Sequence, residues 1–260
     1  MRSASVGRRW LSAAVAAALT TGAGCGLFET EVTVSLAISH HGTRGMDGQL
    51  PNYGEPDAAR IFVNDKMWEV SLAEAIIVMT SAQIEACDGA TFDFKLPYGP
   101  LPEYQLSRDK GLIDFGSIDL PEGTYCKLRV EYGRYQAAAA ASAPDTPYKV
   151  EGHADVEGMT VYLAGTAENV DPNGDGKVVN WGLKTNGTAI AELDLSKVDG
   201  GGPFAIRGDE PGGRALTVAK TYDAFFRGLD FAAFDQAATD EALLGVLTAE
   251  TYVIAGVQVY

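Results

Sequence analysis

In EVTVSLAIS, residues Glu31 to Ser39, Val32, Val34, Leu36 and Ile38 fall on one side of an extended chain, and Glu31, Thr33 and Ser35 on the other. A period of two residues belongs to a strand with one face buried. The same alternation recurs in TYCKLRVEY, in MTVYLAG (Met159, Val161, Leu163), in KVVNWGLKT (Val179, Trp181, Leu183), and in AIAELDL and RALTVAK. MWEVSLAEAIIVMTSAQIEA, residues 67–86, is long enough for two strands or one bent strand. Gly/Pro/Asn-rich turns separate these runs: LPEGT, DPNGDGK, KTNGT, VDGGGP and DEPGG. Short strands punctuated this way point to a sandwich or barrel.

The C-terminal part changes period. TYDAFFRGLDFAAF carries Tyr222, Phe225, Phe226, Phe231 and Phe234, and TDEALLGVLTAE places Leu243, Leu244 and Leu247 on one helical face with Thr239 as its N-cap. These read as short helices closing one end of the β structure, before a last strand in TYVIAGVQVY. Two stretches lie outside the pattern: the polar loop His41 to Arg60 and the Ala/Pro-rich stretch 137–147. The expected organisation is a signal peptide (1–24), a tether (25–30), a first β unit (31–136), a linker or loop (137–147) and a second β unit with the helices (148–260). The two units are expected to share one core.

The N-terminus opens with MRSASVGRR, three arginines and no acid, followed by the apolar WLSAAVAAALTTGAG. A basic segment before a short apolar one is the layout of a secretory signal. The apolar run falls short of the roughly 20 residues a membrane-spanning helix needs. GAGC, ending at Cys25, resembles the bacterial lipobox, in which small residues precede a cysteine that is lipidated and becomes residue one. Gly22 stands where that pattern prefers Leu. The alternative is an ordinary signal cut near Ala23 or Gly24. RRWL lacks the rest of a twin-arginine motif, so general secretion is expected. Gly26, in place of Asp, is similar to the pattern that sorts lipoproteins to the outer membrane; a periplasmic or secreted protein is the other expectation.

Without the three arginines of the signal, 17 basic residues face 35 acidic ones, a formal charge of −18. That excludes nucleic acid as a partner, because phosphate backbones are repelled. With Cys25 lipidated, Cys87 and Cys126 remain, and export favours a bridge between them over two buried thiols. In TYCKLRVEY, Cys126 shares a face with Leu128 and Val130, whereas the alternation before Cys87 sets it opposite Ile84 and Ala86. The bridge therefore requires Cys87 to lie past the strand end or on a bulge.

IDFGSIDLPEGTYCKLRVEYG resembles a segment of exported bacterial β-sandwich domains of the DUF4382 or transthyretin-like kind, where a Pro-Gly turn feeds a GTY strand. MWEVSLAEAIIVMTSAQIEAC is similar to the strand pair before it. The resemblance covers about a third of the chain and implies an envelope-associated sandwich with no catalytic residues to carry over. The expected fold is a mainly-β antiparallel sandwich, immunoglobulin-like or transthyretin-like, with short C-terminal helices.

The strongest local motif is DPNGDGK. Asp171, Asn173 and Asp175 alternate and Gly176 follows, as in the first half of an EF-hand-type loop, which makes calcium the candidate cofactor. Position 12 of that motif, a bidentate acid, is Gly182 here, so a ligand must come from elsewhere; a plain hairpin turn is the alternative. His40, His41 and His153 are candidate transition-metal ligands, the first two jointly only if the strand ends before them. Tyr98 and Tyr104, in LPYGPLPEY, are candidates for a ligand groove, and the other aromatics are expected in the core. Arg207–Asp209 spell Arg-Gly-Asp within a turn. No G-x-S-x-G, H-E-x-x-H, C-x-x-C or phosphate loop occurs in the chain. The leading reading is a non-enzymatic envelope lipoprotein, held at the membrane by its lipid and binding an unidentified protein or glycan partner. The alternatives are a metal-binding envelope protein and a glycan hydrolase using two carboxylates.

Overall fold

The structure, a computed structural model, describes residues 31–41, 60–95, 101–105, 113–137, 156–209, 213–233 and 235–256. Cys25, Tyr98 and His153 lie outside these residues, as does the Ala/Pro-rich stretch beyond Ala137. The strands are β1 (Glu31–His41), β2 (Arg60–Val63), β3 (Trp68–Ala86), β4 (Thr91–Asp93), β5 (Leu101–Gln105), β6 (Ile113–Pro121), β7 (Gly123–Tyr132), β8 (Val161–Asn169), β9 (Val178–Thr185), β10 (Ala189–Asp194), β11 (Phe204–Ile206), β12 (Arg214–Thr221) and β13 (Thr251–Ala255). A 3₁₀ turn, Tyr222–Phe226, and a helix, α1 (Gln236–Glu250), lie between the last two strands.

The strands form a β-sandwich. One sheet has the order β13-β12-β1-β6, and the other β10-β7-β3-β8-β9, with β11 added on β7 and β2, β4 and β5 on β3. One apolar cluster runs between them, from Val34, Leu36 and Ile38 through Leu128, Val130 and Leu163 to Leu216 and Val218. Strands from both sides of residues 137–147 enter both sheets.

β1 and β12 run parallel, from Val34 opposite Arg214 to His41 opposite Thr221, which corrects the wholly antiparallel expectation. The reason lies in the connection. β11 pairs with the start of β7 (Ile206 opposite Gly123), at the end where β1 also begins, with Glu31 opposite Pro121. The chain crosses from one sheet to the other there and enters beside β1 in the same direction.

The long run 67–86 is one strand, and two bulges rotate it. Trp68, Val70 and Leu72 face the core; a register shift between Leu72 and Glu74 turns Ala75, Ile77 and Met79 inward; a second, between Met79 and Ser81, restores Ala82 and Ile84. Each inserted residue exchanges the faces of all that follow. On the other face, Ile76 and Val78 are covered by Tyr135 and Val156, so the middle of β3 is buried on both sides. α1 starts earlier than expected. Asp235, not Thr239, is its N-cap, its carboxylate accepting the Ala238 N–H, while Thr239 donates to the Asp235 carbonyl. Leu243 and Leu247 are the buried residues of this helix. No helix among the described residues is long and apolar enough to cross a membrane.

Candidate functional site

At the end of the sandwich where β3 begins, four rings pack together. Trp181 lies 4.8 Å from Phe226 and 5.8 Å from Phe231, and Trp68 meets Phe231 edge-on at 5.7 Å. All four are buried, with Trp68 at 2% and Trp181 at 5% exposure, so neither indole face is open for a sugar to stack on. The expectation that these rings are core holds. The loop after the 3₁₀ turn is held over the cluster by the β2–β3 turn. The Asn64 amide donates to the carbonyls of Phe226 (3.1 Å) and Leu229 (2.8 Å), and its oxygen accepts from the Lys66 and Trp68 N–H groups at 2.9 and 3.0 Å. Asp65 accepts the Gly228 N–H at 2.6 Å.

Between this loop and α1 lies a groove of about 350 Å³. Phe225, Leu229, Leu243 and Val246 give it apolar walls, and Arg227, Asp230 and Asp235 stand on its rim. Each of these charges is engaged in the architecture. Asp230 accepts the Trp68 indole N–H (3.2 Å) and the Ala232 N–H (3.0 Å), Asp235 caps α1, and Arg227 pairs with Glu250 at 3.6 Å.

The remaining sequence candidates are spread apart. Asp171, Asn173 and Asp175 lie on the exposed β8–β9 turn, where Asp171 accepts the Asn173 N–H (2.8 Å) and Asp175 the Lys177 N–H (3.0 Å). Those carboxylates fold the turn, as Asx turns do, and among the described residues no group of three or more His, Cys, Asp or Glu is arranged to hold a metal ion. β1 continues through His40 and His41, level with Lys220 and Thr221, so the strand does not end before the two histidines. Tyr104 belongs to β5, opposite Ile76, and not to a loop as expected: a short strand laid on one flank of β3 accommodates Pro102. Arg207–Asp209 form an exposed turn after β11. A residue the sequence reading missed is Lys220. It is fully buried on the core side of β12, its ammonium 5.6 Å from the Tyr132 ring, whose hydroxyl bonds to the Thr251 hydroxyl at 3.1 Å.

The opposite end carries the disulfide. Cys87 and Cys126 are bridged, with Cα atoms 4.9 Å apart. β3 ends at Ala86 after a register shift at Glu85, and Cys87 stands one residue beyond, as the opposing faces required. The bridge fits an oxidising, non-cytoplasmic compartment. Beside it, the Cys87 loop and the β6–β7 corner enclose a second cavity, of about 260 Å³, over Phe92 and Tyr125. Burial, then the charge of Asp88, push the Tyr125 phenol up to about 12, and its hydroxyl donates to the Pro121 carbonyl at 2.9 Å.

No family model matches the chain, and the search of curated proteins gives no match. Among solved structures, MbnP from Methylosinus trichosporium is similar at 13% identity, over 87% of this chain and 99% of that one, with a TM-score of 0.41.

Proposed function

We propose that this chain is a lipid-anchored module of the bacterial envelope that binds a protein partner and performs no catalysis. One observation carries this reading. The charged groups on the rim of the groove are spent on holding its walls, which leaves an apolar, preformed recess with no free acid–base pair. Burial of Trp68 and Trp181 favours a peptide side chain over a glycan as occupant, because sugar recognition needs an open ring face. The three-arginine leader, the cysteine after it and the bridge between the other two cysteines support export and anchoring through Cys25.

β1 orients the module. Its ten steps from Glu31 to His41 cover roughly 33 Å, and the groove lies at the His41 end, since β12 runs level with β1 and leads directly into the 3₁₀ turn. The groove thus lies at the end of β1 farther along the chain from Cys25. Intact-mass analysis of detergent-extracted protein tests the anchor: a chain starting at Cys25 with added acyl mass is expected, and an unmodified N-terminus refutes it. A photo-crosslinker at Ala242, on the groove wall, tests the recess. A discrete protein adduct is expected there and none from the same group at exposed Ile190; equal labelling at both sites refutes the assignment.

A further inference from the structure

We infer that the groove and the outer face of α1 together dock a basic amphipathic helix of a partner protein. The inference rests on the reading above, that the groove binds a protein, and adds the partner's chemistry. A surface helix ordinarily turns charged residues to solvent. α1 does not. Leu243 and Leu247 are buried, and the opposite arc carries Ala238, Ala242, Gly245 and Ala249, all exposed, with Glu241 the charged residue among them. At 3.6 residues per turn these small residues form one line, roughly 16 Å long. Ala238 and Ala242 also line the groove, where half-buried Leu229 and Val246 and exposed Ala233 supply further apolar surface. The line and the groove are therefore continuous.

Gly245 indicates what lies along it. Glycine weakens a helix interior relative to alanine. A Cβ at this position would meet nothing within 4 Å among the described residues, so the packing of this chain does not call for the glycine. A second helix laid on the line does, because small residues at the contact let two axes approach to about 8 Å, the near end of the usual range. Charge selects the occupant. α1 and the groove lining carry five carboxylates, Asp230, Asp235, Asp240, Glu241 and Glu250, against the single base Arg227. A second copy of α1 would set carboxylates against carboxylates, which disfavours self-pairing. A helix with lysines or arginines flanking an apolar stripe meets the acids with its flanks and enters the groove with its apolar side chains.

The test titrates the isotope-labelled full chain with two synthetic helices that share one leucine stripe and carry either lysine or glutamate on their flanks. Saturable NMR shifts at the amides of Ala238, Ala242, Gly245 and Ala249 are expected with the Leu/Lys helix and not with the Leu/Glu helix. Gly245→Gln adds a long side chain to the line, changes no charge and removes a helix-weakening residue. It should weaken binding about tenfold while Tm stays level or rises. Absence of saturable shifts with the Leu/Lys helix, equal shifts from both helices, or unchanged affinity in Gly245→Gln overturns the inference. A second photo-crosslinker, at Ala249, separates this from failure of the groove reading, because Ala249 lies on the line but not in the groove. Adducts to one partner at both Ala242 and Ala249, mapped to a basic segment, support the helix. An adduct at Ala242 alone leaves the groove reading standing and overturns the helix. No adduct at Ala242 refutes the groove reading, while the Leu/Lys titration still decides whether α1 docks a helix.

Discussion

Replacing Asn64 by Ala should loosen the groove and destabilise the whole sandwich. The amide is buried, at 8% exposure, and makes four hydrogen bonds, two into the loop over the aromatic cluster and two within its own turn. Not all four losses count equally. The exposed Lys66 N–H turns to water, and the Phe226 carbonyl keeps the Leu229 N–H at 3.2 Å. The buried Trp68 N–H and the part-buried Leu229 carbonyl lose their side-chain partner. A stranded buried group costs about 1–3 kcal/mol, and so the variant should lose roughly 3 kcal/mol in all. For a domain of this size that lowers Tm by about 6–12 °C. Asn64→Asp should do at least as much harm, since it keeps both accepted bonds but turns an oxygen toward two carbonyls. Hydrogen exchange supplies the specific readout: protection at Gly228–Ala232 should fall further than protection in β7. A loss below about 1 kcal/mol, or loop protection unchanged while Tm falls, would refute the argument that this side chain ties the groove to the sandwich.

Reducing the Cys87–Cys126 bridge, whose cysteines are 39 residues apart, should cost about 4 kcal/mol in the chain-entropy model, read as a lower urea midpoint with dithiothreitol present. Gly165→Ala would set a Cβ against the Ser71 carbonyl and the Trp181 ring, so insoluble protein or a Tm lower by about 6 °C or more is expected. Met67 holds φ at 60° in the β2–β3 turn, and Met67→Gly should raise stability by about 1 kcal/mol, measured by urea unfolding. Calcium at 10 mM should leave Tm unchanged, whereas a millimolar site on the β8–β9 turn would raise it by about 3–6 °C. Tyr125 has its folded pKa raised from 10 to about 12, so its contribution to stability is complete below pH 10 and is lost as pH rises toward 12; Tyr125→Phe should flatten that part of the pH–stability curve.

The alternation in Glu31–Ser39 was sufficient to predict β1, because one face of that strand meets the core and the other does not. β3 was less legible for a physical reason. Two bulges exchange its faces, and Tyr135 and Val156 cover its outer side, so the period of two disappears where burial is two-sided. The parallel pairing of β1 with β12 carries no local signal at all. It follows from where β11 leaves the chain, a long-range property. The sequence offers Thr239 as the N-cap of α1, but its hydroxyl bonds back to the Asp235 carbonyl from inside the first turn. Both residues are good caps in isolation, and the start of backbone pairing at Gln236 selects Asp235.

The candidate site was less legible still, because its residues matter through what they hold. Asn64, Asp65 and Asp230 read as ordinary polar residues near a turn, and only contact across 162 or more positions of sequence shows that they fasten a loop over buried rings. Lys220 did carry a signal: the alternation of RALTVAK puts it in line with Leu216 and Val218, a charge on an apolar face. The Cys87–Cys126 pairing was the most legible long-range feature, because the faces of two strands set a condition that a strand end alone could meet. That bridge also explains the division of labour between the two ends. β3 carries the groove at its first residue and the bridge just past its last, so the loop at one end can be shaped by hydrogen bonds while the corner at the other is fixed covalently. The end of a sandwich has fewer routes to a large apolar core than its middle, and a covalent link there confines the corner at no cost in buried area.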